Sequence, residues 1–298
     1  MSENVSTAAV LGQNAAELQR EARRPRRHRT QSNAGAHTVL LIGGLIMVSP
    51  LIYQVIMSLS TNQQVESAPP TIWPGVLQWH NYLDVFAQMP FGQELWITAA
   101  ITAVRLVGQL LLCSIAGYAF ARMRFTARGV ILGVILSIIM VPAQIYLIPQ
   151  YQIIQGLGWL NTVIGIAAPG VFSAFGTFLM RQFFLGLPQE LEDAARIDGA
   201  SSFMIFWRIM LPLASNGLWA LGIITVLWSW NDLMWPLVVT SSAGSAPLSV
   251  GLANLQGVHG NNYPVLMAAS LMAMLPILIL FIVLQKRVVA GIGRSGLK

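Results

Sequence analysis

Charged residues are scarce in this 298-residue sequence. Only 9% of the residues are Asp, Glu, Lys or Arg, whereas 55% are hydrophobic, and the mean hydropathy is +0.64. A water-soluble domain carries about a quarter of its residues as charged side chains, because polar groups must cover its surface. The composition therefore excludes an ordinary soluble domain and indicates a protein that crosses a membrane several times.

Cysteine, lysine and histidine are also rare, and each shortage excludes a class of site. The single cysteine, Cys113, lies in an apolar run, which excludes an internal disulfide framework and a cysteine-based metal cluster. The only lysines, Lys286 and Lys298, do not lie in a phosphate-binding G-x-x-x-x-G-K-[ST] loop. The 4 histidines are scattered, and no group of His, Asp or Glu has catalytic or metal-binding spacing. We therefore expect no catalytic residue and no metal.

Long apolar stretches are what the sequence has in abundance. Six of them are long enough to cross the ~30 Å hydrocarbon core as helices. The arginine-rich start is followed by a full-length span, so we expect no cleavable signal peptide. The predicted fold is all-α, a polytopic membrane protein with six transmembrane helices. The predicted spans cover approximately residues 37–60, 95–119, 129–149, 162–179, 213–240 and 265–284.

The basic residues predict how the chain is oriented. All but one of the 17 lysines and arginines fall at the two ends or in the loops after the second and fourth spans. The other loops, 61–94, 150–161 and 241–264, contain none. Positively charged loops stay in the cytoplasm, so we expect a multi-pass protein of the cell membrane with both termini cytoplasmic. Residues 1–36 are predicted to be a flexible basic cytoplasmic tail held near anionic lipid headgroups, not a nucleic-acid-binding segment.

Two charges fall inside predicted spans. Arg105 lies in the second span and Asp232, which follows Asn231, lies in the fifth. A charge at a helix centre costs ~2.5–3.5 kcal/mol on insertion scales, so such residues turn inward. We expect these three residues to face a transport pathway or a subunit seam. Arg105 and Asp232 lie at similar depths, which permits an ion pair. The alternative is that each has separate partners among carbonyl groups, water or another subunit.

Aromatic residues crowd the outer end of the same fifth span. Trp228, Trp230 and Trp235 have two interpretations, an aromatic belt at the membrane interface or a surface on which a sugar stacks. The belt is the favoured interpretation.

The loop at residues 181–212 has an unusual pattern. A helix is expected after Pro188, because acidic residues in its opening turns match the positive end of the helix dipole. Gly199 is expected to break that helix. The predicted exposed ridge of the helix comprises Leu191, Ala194, Ala195 and Asp198. A second amphipathic stretch is predicted to lie on the membrane through Phe203, Ile205, Phe206 and Ile209.

The spacing in this loop is similar to a known motif. Asp193-Ala194-Ala195 is followed after three residues by Gly199, and after nine more by Ile209-Met210-Leu211-Pro212. This series resembles the cytoplasmic coupling motif in permease subunits of ATP-binding-cassette (ABC) importers, although Asp193 stands where that family usually has glutamate. The resemblance implies that the loop contacts a separate ATPase. The implied contact residues are Glu192, Asp193, Ala194, Ala195, Asp198, Gly199, Ile209, Leu211 and Pro212.

Further segments extend the resemblance over residues 37–298. They resemble permeases of the carbohydrate-uptake branch, especially the second permease, the kind related to the smaller membrane subunit of the maltose transporter. Their positions include Gly117–Arg122, Asn161-Thr162, Arg181–Phe184, Trp230-Asn231-Asp232, Pro247–Leu252 and Gly291–Lys298. The resemblance implies a permease domain at 37–298 with a type I importer core at 95–286.

The resemblance also implies partners. These are a second homologous permease, two ABC ATPase subunits, an external sugar-binding protein and membrane lipid. ATP would be bound by the ATPase subunits, and this chain would hold no cofactor. The expected function is a permease subunit of an ATP-driven sugar importer, and the sugar is not identified. The alternatives are a self-contained secondary transporter or channel, which needs no ATPase, and an intramembrane enzyme, which needs convergent acid, base or metal ligands.

Overall fold

The computed structural model describes residues 34–67, 73–256 and 262–293, and every regular element in these ranges is helical. The predicted cytoplasmic tail lies almost wholly outside the described residues, as do Arg294 and Lys298. The chain divides into two compact units, Met1–Ile52 and Tyr53–Lys298. The described part of the first unit belongs to one apolar helix, and the second unit contains all the residues discussed below.

The helices are numbered in chain order. Short 3₁₀ segments occur at Ile138–Met140, Ala168–Gly170 and Ala243–Ser245, and a π-helical turn occurs at Phe206–Met210. The α-helices are α1 (Ala34–Ser58), α2 (Asn62–Glu66), α3 (Asn81–Gln88), α4 (Phe91–Arg122), α5 (Arg128–Ser137), α6 (Ala143–Gly156), α7 (Val163–Ala167), α8 (Ala174–Leu185), α9 (Glu190–Ile197), α10 (Ser202–Ile205), α11 (Leu211–Leu213), α12 (Ser215–Trp230), α13 (Met234–Val239), α14 (Leu248–Leu255) and α15 (Tyr263–Gly293).

The described chain contains the predicted number of spans, although three of them are bent. Three helices are long and apolar enough to cross a membrane alone, at His37–Ser58, Phe91–Arg122 and Tyr263–Gln285. If each bent pair of helices counts as one span, the total is 6. The pairs are Arg128–Met140 with Ala143–Gly156 at 104°, Val163–Gly170 with Ala174–Leu185 at 47°, and Ser202–Leu213 with Ser215–Trp230 at 75°.

Three of the predicted spans therefore contain a break, and in the fourth span it lies between Gly170 and Ala174. The third span, predicted over 129–149, breaks where Pro142 adopts an extended ψ of 131°. Proline has no N–H group for the helical hydrogen bond, so a break here costs little. The fifth was predicted to continue to residue 240, but its helix ends at Trp230. A new helix starts at Met234, which places Pro236 in a first turn, where proline is tolerated.

The loop at 61–94 contains the short helix α3. Its first residue, Asn81, donates hydrogen bonds from Nδ2 to the carbonyl oxygens of Ser58 (2.8 Å) and Ser60 (3.0 Å). The Tyr82 hydroxyl lies 2.8 Å from Ser58 Oγ. Asn81 and Tyr82 therefore have a local structural role, because they fix α3 to the chain that leaves α1.

Glycines allow α4 and α8 to pack in close contact. A Cβ atom at Gly117 would lie 2.8 Å from Met180 Cβ and 2.9 Å from the backbone nitrogen of Arg181. Cys113 lies in the same contact with an exposed fraction of 0%, which confirms its interpretation as a small buried residue. Since lipid offers no hydrophobic driving force between helices, such contact between small residues is what holds membrane helices together.

We expect Gly117→Ala to weaken the protein, because the added methyl group must displace backbone atoms of α8. Overpacking of this kind costs about 1–3 kcal/mol. The matched control is Gly92→Ala in the same helix, where the new Cβ meets no atom within 4 Å. Thermal unfolding in detergent should show a lower Tm for the first variant and not for the second. Equal melting temperatures for the two variants would contradict the packing assignment.

Candidate functional site

Helix α9 is the centre of the loop that the sequence singled out. Glu190, Glu192 and Asp193 occupy its first turn and Arg196 its last, so the charges at both ends stabilise the helix dipole. Gly199 follows the helix with φ of +83°, a left-handed conformation that side chains disfavour. The predicted role of Gly199 in breaking the helix is therefore confirmed in its geometry.

One face of α9 is buried in its own chain, which corrects the predicted ridge. Ala195 was predicted to be exposed, but it is only 8% exposed and belongs to a core cluster with Phe184, Phe206 and Met210. Alanine is needed here because its small side chain lets α9 approach this cluster. An Ala195→Trp substitution would overpack the core of this chain itself, so it cannot be used to probe a contact with a partner.

The exposed ridge runs along the opposite face of α9. Ile197 is 87% exposed and Leu191 is 41% exposed, and Asp193, Ala194 and Asp198 are also exposed. Ile197 lies one turn after Ala194, so it occupies the same face. Ile197 was not among the predicted contact residues, although its i, i+3 spacing from Ala194 could have indicated it. Leu191, Ala194 and Ile197 follow one another at i, i+3 spacing and form a contiguous exposed apolar strip, which is a feature of a binding surface.

Glu192, like Ala195, was expected to contact an ATPase, but its position does not fit that role. Its side chain is 4% exposed, and Oε1 lies 3.5 Å from Arg122 Nε, while Arg196 Nη2 lies 3.8 Å from Oε2. Burial raises the pKa of the Glu192 carboxyl, and the two guanidinium groups act in the opposite direction. Glu192 therefore faces its own chain and contributes to how α9 is held, not to the exposed ridge.

Arg122 joins three elements at this point. It is the last residue of α4, and it donates hydrogen bonds to the carbonyl oxygens of Phe184, at 2.6 Å from Nη2, and of Leu187. The same side chain faces Glu192 on α9. Arg122 thus connects the end of a membrane span, the end of α8 and the exposed helix. Its role was not predicted, because the spacing of residues does not indicate which arginine binds a carbonyl oxygen 62 positions later in the chain.

The segment after Gly199 packs inward more than predicted. Ser201 Oγ accepts a hydrogen bond from the Met204 N–H at 3.3 Å and caps α10. Ile205 is 0% exposed and Phe206 is 5% exposed, so the prediction that both lie on the membrane is wrong. Both side chains belong to the core cluster that contains Tyr118, whose ring centroid lies 5.2 Å from that of Phe206. Phe203 remains 73% exposed.

The remaining motif residues have mixed positions. Ile209 and Leu211 pack as partly buried side chains against the same core, and Pro212 is exposed in α11. Pro212 lies in the first turn of a short helix, next to the 75° bend that leads into α12. These residues therefore shape the connection from the loop to the fifth span, and their contact with an ATPase remains a prediction.

Arg105 and Asp232 form an ion pair, the arrangement that the sequence permitted. Arg105 Nη1 lies 2.9 Å from Asp232 Oδ2, and Nη2 donates to the Ile166 carbonyl oxygen at 2.8 Å. The guanidinium passes over Gly170, where a Cβ atom would lie 2.5 Å from Nε. Arg105 thus ties α4 to the fourth span and to the break between α12 and α13.

A cavity of about 780 Å³ opens beside this ion pair. Its lining includes Arg105 and Asp232 together with Asn231, as well as side chains from α6 and α12. At its wall, Gln109 Nε2 donates to the Gly170 carbonyl oxygen at 2.8 Å and Gln109 Oε1 accepts from Thr225 Oγ1 at 2.7 Å. The three residues expected to face a pathway or a seam are therefore brought together around one open space.

The three tryptophans near this cavity have different surroundings. Trp230 donates from Nε1 to the Ala273 carbonyl oxygen at 3.1 Å, and Trp235 donates to that of Gly165 at 3.3 Å. Trp235 is 7% exposed, whereas Trp228 is 59% exposed and lines the cavity. Among the described residues no group of three or more His, Cys, Asp and Glu could hold a metal ion.

Similarity to known proteins covers most of the chain. The arabinooligosaccharides transport system permease protein of Halalkalibacterium halodurans is 36% identical over 260 residues, which span 85% of this chain and 92% of that protein. The sn-glycerol-3-phosphate transport system permease protein of Pectobacterium atrosepticum is 32% identical over 268 residues, spanning 87% and 95%. A solved bacterial ABC transporter involved in the import of the acidic polysaccharide alginate has a TM-score of 0.75 and 25% identity, over 88% of this chain and 99% of that chain.

A family match covers both regions described above. Residues 109–294 match the family described as binding-protein-dependent transport system inner membrane component. The matched segment contains the whole of α9 and the break at Asp232, and it begins four residues after Arg105. The chain therefore belongs to the family of inner-membrane components of binding-protein-dependent transport systems, and it is a multi-pass transport permease of the cell membrane.

Proposed function

We propose that this chain is the permease subunit of an ATP-driven importer of sugars, and that it forms half of the translocation pathway beside a second homologous permease. One observation carries the proposal: α9 presents an exposed apolar ridge while its other face is anchored to the membrane spans through Glu192 and Arg122. A helix held in this way moves with the spans when a partner moves it. The chain is a transport component and not an enzyme.

The partners follow from the same arrangement. Two ABC ATPase subunits would bind the ATP, since this sequence lacks a lysine in a phosphate-binding loop. An external sugar-binding protein would deliver the solute. A solved relative, 13% identical, is an alginate ABC transporter in complex with an alginate pentasaccharide-bound periplasmic protein, and its similarity supports the fold. The basic loops support an orientation with both termini and the α9 loop in the cytoplasm.

The alternative of a self-contained channel or secondary transporter is less well supported. Ion-coupled carriers place ionisable residues at membrane depth, where they bind the coupling ion. Arg105 in α4 and Asp232 in the break after α12 are the charged residues that line the cavity in the described part of the chain, and they bind each other. Uptake by the isolated chain in liposomes without an ATPase or ATP would contradict the importer proposal and support the alternative.

We expect Ile197→Asp to separate the permease from its ATPase. The substitution places a charge at the most exposed apolar position of the ridge, and loss of a central apolar contact costs about 2 kcal/mol, or roughly thirtyfold in affinity. The measurement is copurification of the ATPase with the tagged permease, together with ATP-dependent uptake in proteoliposomes.

Ile197→Val is the matched control, because it keeps an apolar side chain at the same exposed position. It should retain both the ATPase and the uptake. Normal copurification and normal uptake by Ile197→Asp would show that the ridge of α9 does not contact the ATPase.

A further inference from the structure

The cavity beside the ion pair has the chemistry of a site for an uncharged sugar ring. We propose that this permease itself contacts the transported solute there, and that the site takes a neutral glycan and not an anionic one. This inference rests on the proposed function as an importer, and it adds the place of contact and the class of substrate. It is carried by the size, the exposed groups and the charge of the cavity.

The size of the cavity suits a small ligand. Its volume of about 780 Å³ falls within the ~300–1,000 Å³ typical of small-molecule sites in proteins. Such sites combine apolar or aromatic walls with a few polar groups that fix the orientation of the ligand. The walls here are formed by α4, α6 and α12, by the 3₁₀ turn at Ala168–Gly170 and by the break that follows α12, so they come from four different spans.

Two aromatic rings are available inside the cavity. Trp228 is 59% exposed and Tyr146 is 40% exposed, and both line the space. Trp228 is supported from outside by Phe175, with ring centroids 5.4 Å apart. An aromatic side chain offers an apolar face and a polar tip, which matches the C–H face and the hydroxyl groups of a sugar ring. Trp235, by contrast, is buried and its indole N–H is already bonded.

Several polar groups in the lining are free to bind hydroxyl groups. In the part of the chain that the structure describes, the Gln150 amide and the Tyr146 hydroxyl make no hydrogen bond with protein atoms. Asn231 uses its Nδ2 on the Leu227 carbonyl oxygen at 2.8 Å, which leaves its amide oxygen available. Hydroxyl groups donate and accept, so these donors and acceptors suit a polyol.

The charge of the cavity argues against an anion. Among the described residues that line it, Arg105 and Asp232 are the only charged side chains, and they bind each other. The second arm of the Arg105 guanidinium is bonded to the Ile166 carbonyl oxygen, and Gly170 packs against its Nε. A phosphate or carboxylate would therefore find no free cation, whereas recognition of such groups in proteins uses arginine or lysine.

The test uses a cysteine in the cavity of the assembled transporter. Met234→Cys places a thiol at a lining position that is 54% exposed, while the native Cys113 is 0% exposed and gives little background on this chain. Labelling by a water-soluble maleimide is followed in membrane vesicles with and without a probe. The neutral probes are maltotriose and arabinotriose, and the anionic probes are glycerol 3-phosphate and an alginate trisaccharide.

We expect a neutral probe to protect the thiol. At ten times its Kd the probe should slow labelling about tenfold, and the anionic probes should not slow it. Met123→Cys is the matched control, since Met123 is 46% exposed and does not line the cavity, so no probe should protect it. Absence of protection by either neutral sugar, or protection by the anions alone, overturns the proposal. The first result is expected if the cavity is filled by lipid or by the second permease, and the second is expected if the cavity binds anions.

Further variants distinguish loss of a direct contact with the sugar from a general effect on packing. In the Met234→Cys protein, Trp228→Ala and Gln150→Ala should each weaken protection about threefold to tenfold, the value for one lost neutral contact. Trp96→Ala removes an indole that is 72% exposed outside the cavity and should leave protection unchanged. ATP-dependent uptake is measured in the same vesicles. A neutral sugar that is imported without protecting position 234 overturns the site alone, whereas uptake independent of ATP overturns the importer function.

Discussion

Arg105→Ala is expected to reduce ATP-driven uptake more than any other single change in the membrane spans. The substitution leaves Asp232, whose side chain is only 24% exposed, without its cation, and it leaves the Ile166 carbonyl oxygen without a donor. Removing one partner from a buried pair costs about 3 kcal/mol or more. Uptake in proteoliposomes should fall at least about tenfold, because that cost is large compared with the 1.4 kcal/mol that changes an equilibrium tenfold.

A charge swap tests whether the pair itself matters. Arg105→Asp combined with Asp232→Arg restores opposite charges, but it places a carboxylate near the Ile166 carbonyl oxygen, so rescue should be partial. Arg124→Ala is the control, because Arg124 is an exposed arginine outside the ion pair. Wild-type uptake by Arg105→Ala would remove any role for the pair, and additive losses without rescue would assign the two residues to separate partners.

Gly199→Val is expected to uncouple ATP hydrolysis from uptake while the spans remain assembled. The glycine has φ of +83°, and a left-handed conformation costs other residues about 1–2 kcal/mol, with β-branched residues the least suited. The turn should therefore change its direction and reorient α9 relative to α10. A change of this size alters a conformational equilibrium about 5-fold to 30-fold. The ratio of imported solute to hydrolysed ATP should fall accordingly.

The control for this prediction is Gly199→Asn. A Cβ atom at position 199 would meet no atom within 4 Å, so any loss in the valine variant arises from the backbone and not from a clash. Asparagine tolerates the left-handed region better than other side chains, so this variant should retain most of the coupling. If both variants transport normally, the turn at Gly199 does not transmit motion.

Composition and spacing were sufficient to predict the number of spans and the place of the α9 loop. Lipid requires about 20 apolar residues per span, so hydropathy alone predicts where the chain crosses. The same physics indicated that Arg105 and Asp232 turn inward, and the structure confirms that they pair. Prolines such as Pro142 indicated where a span can bend, but the sequence did not indicate the size of the bends, which reach 104° at that position.

The details of the α9 surface could not be predicted from the sequence in the same way. Periodicity indicates which residues share a face, but it does not tell which face is covered by the rest of the chain. Ala195 is buried in the same core cluster as Phe206 and Met210, which are the first and last residues of a π-helical turn that no spacing rule predicted. The full lining of the cavity could not be predicted for a related reason, because Tyr146 and Trp228 come from different spans and only the fold shows that both line one space.

Helix α4 joins the two regions as one continuous element. Arg122 at its end is bound to the elements around α9, and Arg105 lies about 25 Å along the same helix at 1.5 Å per residue. Any displacement of α4 therefore moves both arginines. Thermodynamic linkage makes such an influence reciprocal. If a partner bound at α9 changes the affinity of the cavity for its ligand, the bound ligand changes the affinity of α9 for that partner by the same factor. Helix α4 would thus connect binding of the solute in the cavity with the movement that the partner at α9 imposes.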